Sequence, residues 1–107
     1  FRDPETFAEI RRVQVYNDNA AFGYLNELEY IDGKIYANVY QTNIVIAIDP
    51  ATGRVLEQIN CDELMRRGRG NGGDVLNGIA QDPSGKIYMT GKNWSKLFEV
   101  KFTEVLP

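Results

Sequence analysis

The chain has 107 residues, 43% of them hydrophobic, and carries 15 acids against 12 bases for a net charge of −3. That is room for one small domain with a modest core, without the basic excess of a nucleic-acid binder. One cysteine and no histidine exclude an internal disulfide, a cysteine- or histidine-built metal site, and Ser-His-Asp or Cys-His catalysis. No apolar run approaches the ~18 residues of a membrane-spanning helix. Phe1-Arg2-Asp3-Pro4 opens with a turn rather than a basic segment leading into an apolar one. No signal peptide is therefore expected within the chain, which reads as a mature or excised product.

In chain order, Asp3-Pro4-Glu5-Thr6 predicts a turn leading into a strand over Phe7–Val15. Asn26–Ile31 predicts an inner strand, Ile31-Asp32-Gly33-Lys34 a hairpin turn, and Lys34–Tyr40 the returning strand. A third strand is expected at Ile44–Asp49. In the turn Asp49-Pro50-Ala51-Thr52-Gly53, proline presets φ and glycine supplies the left-handed position. Val55–Ile59 follows as an outer strand. Asp62–Arg67 suits one or two helical turns, with acid at the start and arginines at the end to complement the helix dipole. Gly68 to Gly73 holds four glycines. It lacks the Lys-Ser/Thr ending and the strand-to-helix context of a phosphate cradle, so a surface loop is expected. Asp74 is placed to cap or anchor the next strand entry. Further strands are expected at Asn77–Gln81, Lys86–Thr90 and Lys96–Phe102, with a short fourth at Thr103–Leu106.

Two internal repeats organise these elements. Gly33-Lys34-Ile35-Tyr36 recurs as Gly85-Lys86-Ile87-Tyr88, and Asp3-Pro4-Glu5-Thr6 as Asp49-Pro50-Ala51-Thr52. Periods of about 40–50 residues with roughly four strands each are those of β-propeller blades. The alternative is two hairpins of an ordinary sandwich. The expected fold class is all-β. Residues 1–15 are read as the outer strand of a preceding blade, 25–60 as a full blade, 61–73 as a surface loop and 74–106 as a second blade.

Superposing the repeats puts Tyr40 and Lys92 at one blade position, four residues after Tyr36 and Tyr88. Asn26 and Asn77 begin the inner strands. Propeller loops at one face surround the central channel, so Asn26, Tyr40 and Lys92 are expected to converge as an amide, an aromatic wall and a cation. The plainer alternative has Asn26 bonding a turn, Tyr40 packing on a neighbouring blade and Lys92 solvated. Glu27 and Glu29 share a strand face as paired carboxylates would for acid–base work, although any half-exposed strand alternates in this way. Trp94 is expected to pack rather than to stack a ligand. Cys61 has no basic neighbour in sequence to activate it.

Five segments in order carry a resemblance: Leu25-Asn26-Glu27-Leu28-Glu29-Tyr30, Ile35-Tyr36-Ala37-Asn38-Val39-Tyr40-Gln41-Thr42, Asp74-Val75-Leu76-Asn77-Gly78-Ile79-Ala80, Thr90-Gly91-Lys92 and Lys96-Leu97-Phe98-Glu99. From about Phe1 to Phe102 the chain resembles the glutaminyl cyclases of the plant and bacterial type, the glutamine cyclotransferases. The resemblance implies a five-bladed propeller that converts N-terminal glutamine of peptides or proteins to pyroglutamate with release of ammonia. It implies no cofactor and no catalytic zinc, while the acidic charge balance and the lack of a long apolar run argue against a nucleic-acid or membrane partner. Asn26 matches a family active-site asparagine, Lys92 an active-site lysine, and Tyr40 falls where plant members carry a substrate-pocket tryptophan. The family's catalytic glutamate, in a Gly-Glu-Gly motif, has no counterpart here. The chain thus corresponds to about the C-terminal half of the usual enzyme. It is expected to be inactive alone and to pair with the missing half, or with itself, through open strand edges. Family members are commonly secreted or periplasmic. A non-catalytic module that binds a ligand or partner is the competing expectation.

Overall fold

In the computed structural model, residues 1–17, 20–21, 23–69 and 75–103 are described. They form β1 (Tyr16–Asn17), β2 (Ala20–Ala21), β3 (Leu25–Ile31), β4 (Lys34–Val39), β5 (Ile44–Ile48), β6 (Val55–Asn60), α1 (Asp62–Arg69), β7 (Leu76–Gln81), β8 (Ile87–Gly91) and β9 (Phe98–Val100). Strands β3 to β6 make a four-stranded antiparallel meander and β7 to β9 a three-stranded one. Two such meanders side by side, with first strands in contact, are adjacent blades of a β-propeller.

Composition explains the strand order. β4 and β5, rich in isoleucine and valine, are the central strands and largely buried. β6 exposes Leu56, Glu57 and Gln58, as an outer strand does. In the first hairpin, Asp32 (φ 49°) and Gly33 (φ 85°) supply the two left-handed residues of a type I′ turn. The second hairpin is one residue longer. Its Asp82 Oδ1 accepts hydrogen bonds from the Ser84 and Lys86 N–H groups and from the Ser84 hydroxyl. The repeat offset therefore grows from 51 at the asparagines to 52 at Gly-Lys-Ile-Tyr.

The Asp-Pro-x-Thr repeat folds the same way twice. Asp3 Oδ1 accepts from Glu5 N–H and Thr6 Oγ1 from Ala8 N–H. Likewise Asp49 Oδ1 accepts from Ala51 N–H and Thr52 Oγ1 from Arg54 N–H. Phe7 (φ 60°) occupies the left-handed position that Gly53 (φ 84°) fills in the second copy. This corrects the expectation of a strand over Phe7–Val15. Phe7 ends the turn, a single bridge joins Arg2 to Glu9, and the described residues hold no neighbouring strand for the rest to pair with. The segment instead crosses the β5–β6 turn. Tyr16 N–H donates to Gly53 O at 3.0 Å, Arg11 Nη1 donates to Pro50 O at 2.9 Å, and Val15 packs on the blade.

The helical turns expected at Asp62–Arg67 are present, and the surface loop expected over residues 61–73 is corrected only where the helix continues beyond them. α1 runs through Gly68 to Arg69. Asp62 N–H donates to Asn60 Oδ1, Glu63 pairs with Arg66 and Arg67, and Met65 is buried. Gly68 lies under the Trp94 ring, where an added Cβ would meet Trp94 Cε3 at 2.4 Å. Trp94 packs edge-on against Phe98 and docks α1 onto the second blade, in the packing role the sequence suggests. Asp74, the glycines after Arg69, and the end of the proposed Thr103–Leu106 strand lie outside the described residues; β9 itself spans only Phe98–Val100.

Two apolar clusters result. One lies between the blades and under α1, and contains Ile31, Tyr36, Val45, Leu76, Ile79 and Met89. The other covers the opposite face of the first blade with Ala37, Val39, Ile46 and Ile48. Tyr36 stacks on Phe102 with ring centroids 5.2 Å apart. No helix among the described residues is long and apolar enough to cross a membrane.

Candidate active site

The three residues singled out by spacing lie at one end of the two sheets. Tyr40 directly follows β4 and Lys92 directly follows β8. Each turn is tied to the residue just before the inner strand of its own blade. Tyr40 N–H donates to Tyr24 O at 2.8 Å, and Lys92 N–H donates to Val75 O at 2.9 Å. Asn26 lies in β3 within two residues of Tyr24, so the same end of the two adjacent blades carries an amide, a phenol and an ammonium group. Tyr40 is about half exposed at 48% and Lys92 is exposed. Asn26 is half-buried, and its Nδ2 donates to Asn77 Oδ1 across the blade boundary at 3.1 Å. Among the described residues no hydrogen bond joins Asn26, Tyr40 and Lys92 to one another. Their shared element is the blade end, not a direct contact.

The turns are shaped by left-handed residues. Tyr24 (φ 58°) and Gln41 (φ 61°) flank the Tyr40 corner, and Asn93 (φ 61°) follows Lys92. Thr42 Oγ1 donates to Val39 O and accepts from Ile44 N–H, closing the Tyr40 corner. Gly91, before Lys92, is buried against Trp94, where an added Cβ would stand 2.1 Å from Cε2. Trp94 packing therefore fixes the strand end from which Lys92 projects.

Sequence reasoning missed the amides behind Asn26. Asn38 of β4 is 1% exposed, and its Oδ1 accepts from Gly78 N–H at 3.2 Å. Its Nδ2 has no partner among the described residues. Asn26 and Asn38 are register partners in the β3–β4 ladder, so opposite residues of one blade grip consecutive residues of the next. The repeat offered a signal for Asn77, which occupies the position of Asn26. It offered none for Asn38, whose counterpart is Thr90. The Glu27/Glu29 pairing is corrected as well. A bulge between Asn26 and Leu28 takes Glu27 out of the alternation, and Glu29 accepts from Gln81 N–H at 2.9 Å in a blade-to-blade contact.

An open cleft of about 1130 Å³ lies elsewhere, between β6, α1 and β9, lined by Lys34, Glu57, Cys61, Glu63, Phe98 and Phe102 among others. Several of its charged groups are paired with one another. Lys34 pairs with Glu57, Glu63 with Arg66 and Arg67, and burial, helped by the Asp62 charge, pushes the Cys61 thiol up to about 11. None of Asn26, Tyr40 and Lys92 lines it. No cluster of potential metal ligands occurs among the described residues.

Comparison with known proteins converges on one family. The family described as glutamine cyclotransferase matches residues 1–102. The chain is 37% identical over 106 residues to a glutaminyl-peptide cyclotransferase of Arabidopsis thaliana, covering 95% of this chain and 33% of that protein. It superposes with a TM-score of 0.89 and 45% identity on the crystal structure of Myxococcus xanthus glutaminyl cyclase, over 94% of this chain and 45% of that one. The chain thus spans less than half the length of these relatives. With blade architecture, repeat register and family match in agreement, the chain belongs to the glutamine cyclotransferase family.

Proposed function

We propose that this chain contributes one side of the active site of a glutaminyl-peptide cyclotransferase. In that reaction the free α-amine of an N-terminal glutamine attacks its own γ-carboxamide carbon. A C–N bond closes the five-membered lactam, a proton leaves the attacking nitrogen, and the former amide nitrogen departs as ammonia. The chemistry needs a neutral amine, a proton carrier between the two nitrogens, and donors toward the developing oxyanion. It also needs the side chain folded back on the amine, which a close pocket supplies as proximity.

The chain offers three side chains toward the oxyanion donors and the close pocket. Lys92 brings a positive charge suited to the oxyanion or to a peptide carboxylate. The Asn26 carboxamide brings directional polar contacts, and the Tyr40 ring supplies an aromatic wall. What carries this reading is the matched anchoring of the Tyr40 and Lys92 turns at the blade end that also carries Asn26. The proton carrier is the part we assign to the rest of the propeller. Glu27 stands exposed on a bulge, Glu29 is engaged by Gln81, and no Gly-Glu-Gly motif is present. We therefore propose that the chain does not turn over by itself and that its partner in catalysis is the rest of the propeller.

The test is a fusion of this chain to the portion of the Myxococcus xanthus enzyme that the match leaves uncovered, assayed for ammonia release from a glutamine-initiated peptide. Turnover that falls at least about 100-fold in Lys92→Ala, with the fold intact, is the expected result. A folded fusion that binds the peptide without releasing ammonia favours a non-catalytic binding module instead.

A further inference from the structure

The contact between Asn26 and Asn77 has a consequence for the chemistry of Asn26. A terminal amide torsion is broad and roughly two-fold, so an asparagine at a pocket edge does not hold one orientation unaided. Here one of the two Asn26 Nδ2 protons is engaged by Asn77 Oδ1 at 3.1 Å. That bond fixes the plane of the carboxamide and leaves its second N–H and its Oδ1 for another partner. Asn77 is itself held. It lies in the bulge of β7, between Leu76 and Ile79, where the register with β8 shifts. The next residue, Gly78, has φ 135° and donates its N–H to Asn38 Oδ1 at 3.2 Å. A Cβ on Gly78 would meet Thr90 Cγ2 at 3.0 Å, so the bulge is closed from both sides. The buried Asn38 thus secures the bulge, the bulge aims Asn77, and Asn77 orients Asn26.

We propose that Asn77 is a positioning residue for the cyclisation reaction, holding the Asn26 carboxamide so that its free N–H and carbonyl oxygen face the glutaminyl substrate. The inference rests on the reading of Asn26 as a substrate-contacting group. Preorganised donors act in the transition state because they need no reorientation as charge develops. Loss of Asn77 therefore lowers kcat with a much smaller change in KM.

Two substitutions separate positioning from mere packing. Asn77→Asp keeps an acceptor oxygen for Asn26 Nδ2, whereas Asn77→Leu keeps the volume and removes the acceptor. In the 107-residue chain, the paired Asn26 side-chain amide protons are followed by ¹⁵N–¹H NMR. One of the two is expected to be shifted and slow to exchange in the wild type and in Asn77→Asp, and both to resemble solvent-exposed amides in Asn77→Leu. In the fusion described above, Asn77→Leu is expected to lower kcat about 10- to 100-fold, with Asn77→Asp within a few-fold of the parent. Full activity in Asn77→Leu overturns the proposal, as does an Asn26 amide signal that does not respond to it. Equal inactivation by both substitutions in folded proteins also overturns it, because the acceptor oxygen would not then be what matters. An inactive parent fusion counts against the proposed function, and the NMR comparison then decides the positioning alone.

Discussion

Replacing Gly91 by alanine strikes the packing that underlies Lys92. A Cβ built at Gly91 stands 2.1 Å from Trp94 Cε2 and 2.4 Å from Nε1. Ordinary carbon–carbon contact is at about 3.5–4.0 Å, so the ring has to withdraw by more than about 1 Å. Its retreat is blocked by Gly68 of α1, where an added Cβ would already stand 2.4 Å from the same indole. Overpacking of a filled site costs about 1–3 kcal/mol, and a ring held on both sides belongs at the upper end. With a urea m-value of about 1–1.5 kcal/mol/M for a domain of this size, a cost of about 2–3 kcal/mol should lower the midpoint by about 1.3–3 M. Trp94 is the single tryptophan, so its emission reports on the perturbed site directly. Gly91→Ala should shift that emission. Combined with Trp94→Leu, it should add far less than it costs alone, a coupling that a double-mutant cycle measures. A Gly91→Ala chain within about 0.5 kcal/mol of the parent, with unchanged emission, would show that Trp94 is not packed tightly against Gly91.

Asn38→Ala leaves the Gly78 N–H without its acceptor between the blades, and should cost about 1–3 kcal/mol in urea unfolding. Gly53→Ala forces a Cβ within 2.0 Å of Gln14 O at a φ of 84°. It should detach residues 11–16 from the β5–β6 turn, read as faster tryptic cleavage after Arg11 and Arg12. Cys61 is buried, and its thiol is raised from 9.0 to about 11, mainly by burial and then by Asp62. At pH 8 only about one native thiol in a thousand is ionised, so iodoacetamide should label the folded chain only through unfolding. The native thiol keeps its proton longer than the unfolded one. The associated stability is therefore fully present below pH 9 and is lost as pH rises toward 11. Rapid stoichiometric labelling of folded protein at pH 8 would contradict this.

The parts of the fold that local chemistry dictates were legible in the sequence. Gly-Lys-Ile-Tyr marks both second strands, and the Asp-Pro-x-Thr repeat marks two turns with the same hydrogen bonds. What escaped depends on residues far apart in the chain. Glycine is a poor helix former, yet Gly68 continues α1 because Trp94, distant in sequence, needs the space where a side chain would stand. The strand expected from Phe7 fails at its first residue, because the repeat aligns Phe7 with Gly53 at the left-handed end of the turn. The shared blade end of Asn26, Tyr40 and Lys92 followed from superposing the repeats. The amides that secure it did not, since Asn26 reaches Asn77 and Asn38 reaches Gly78 across spans of 51 and 40 residues. The bulge at Glu27 was likewise hidden, because strict alternation is the default reading of a strand.

The most direct test of the account is ammonia release from a glutamine-initiated peptide, measured for the purified 107-residue chain and for its fusion to the uncovered part of the Myxococcus xanthus enzyme. The chain alone should show no turnover above the uncatalysed rate. The fusion should turn over, and Lys92→Ala should abolish that turnover. Turnover by the isolated chain that Lys92→Ala abolishes would contradict this, showing that the residues of these two blades are enough.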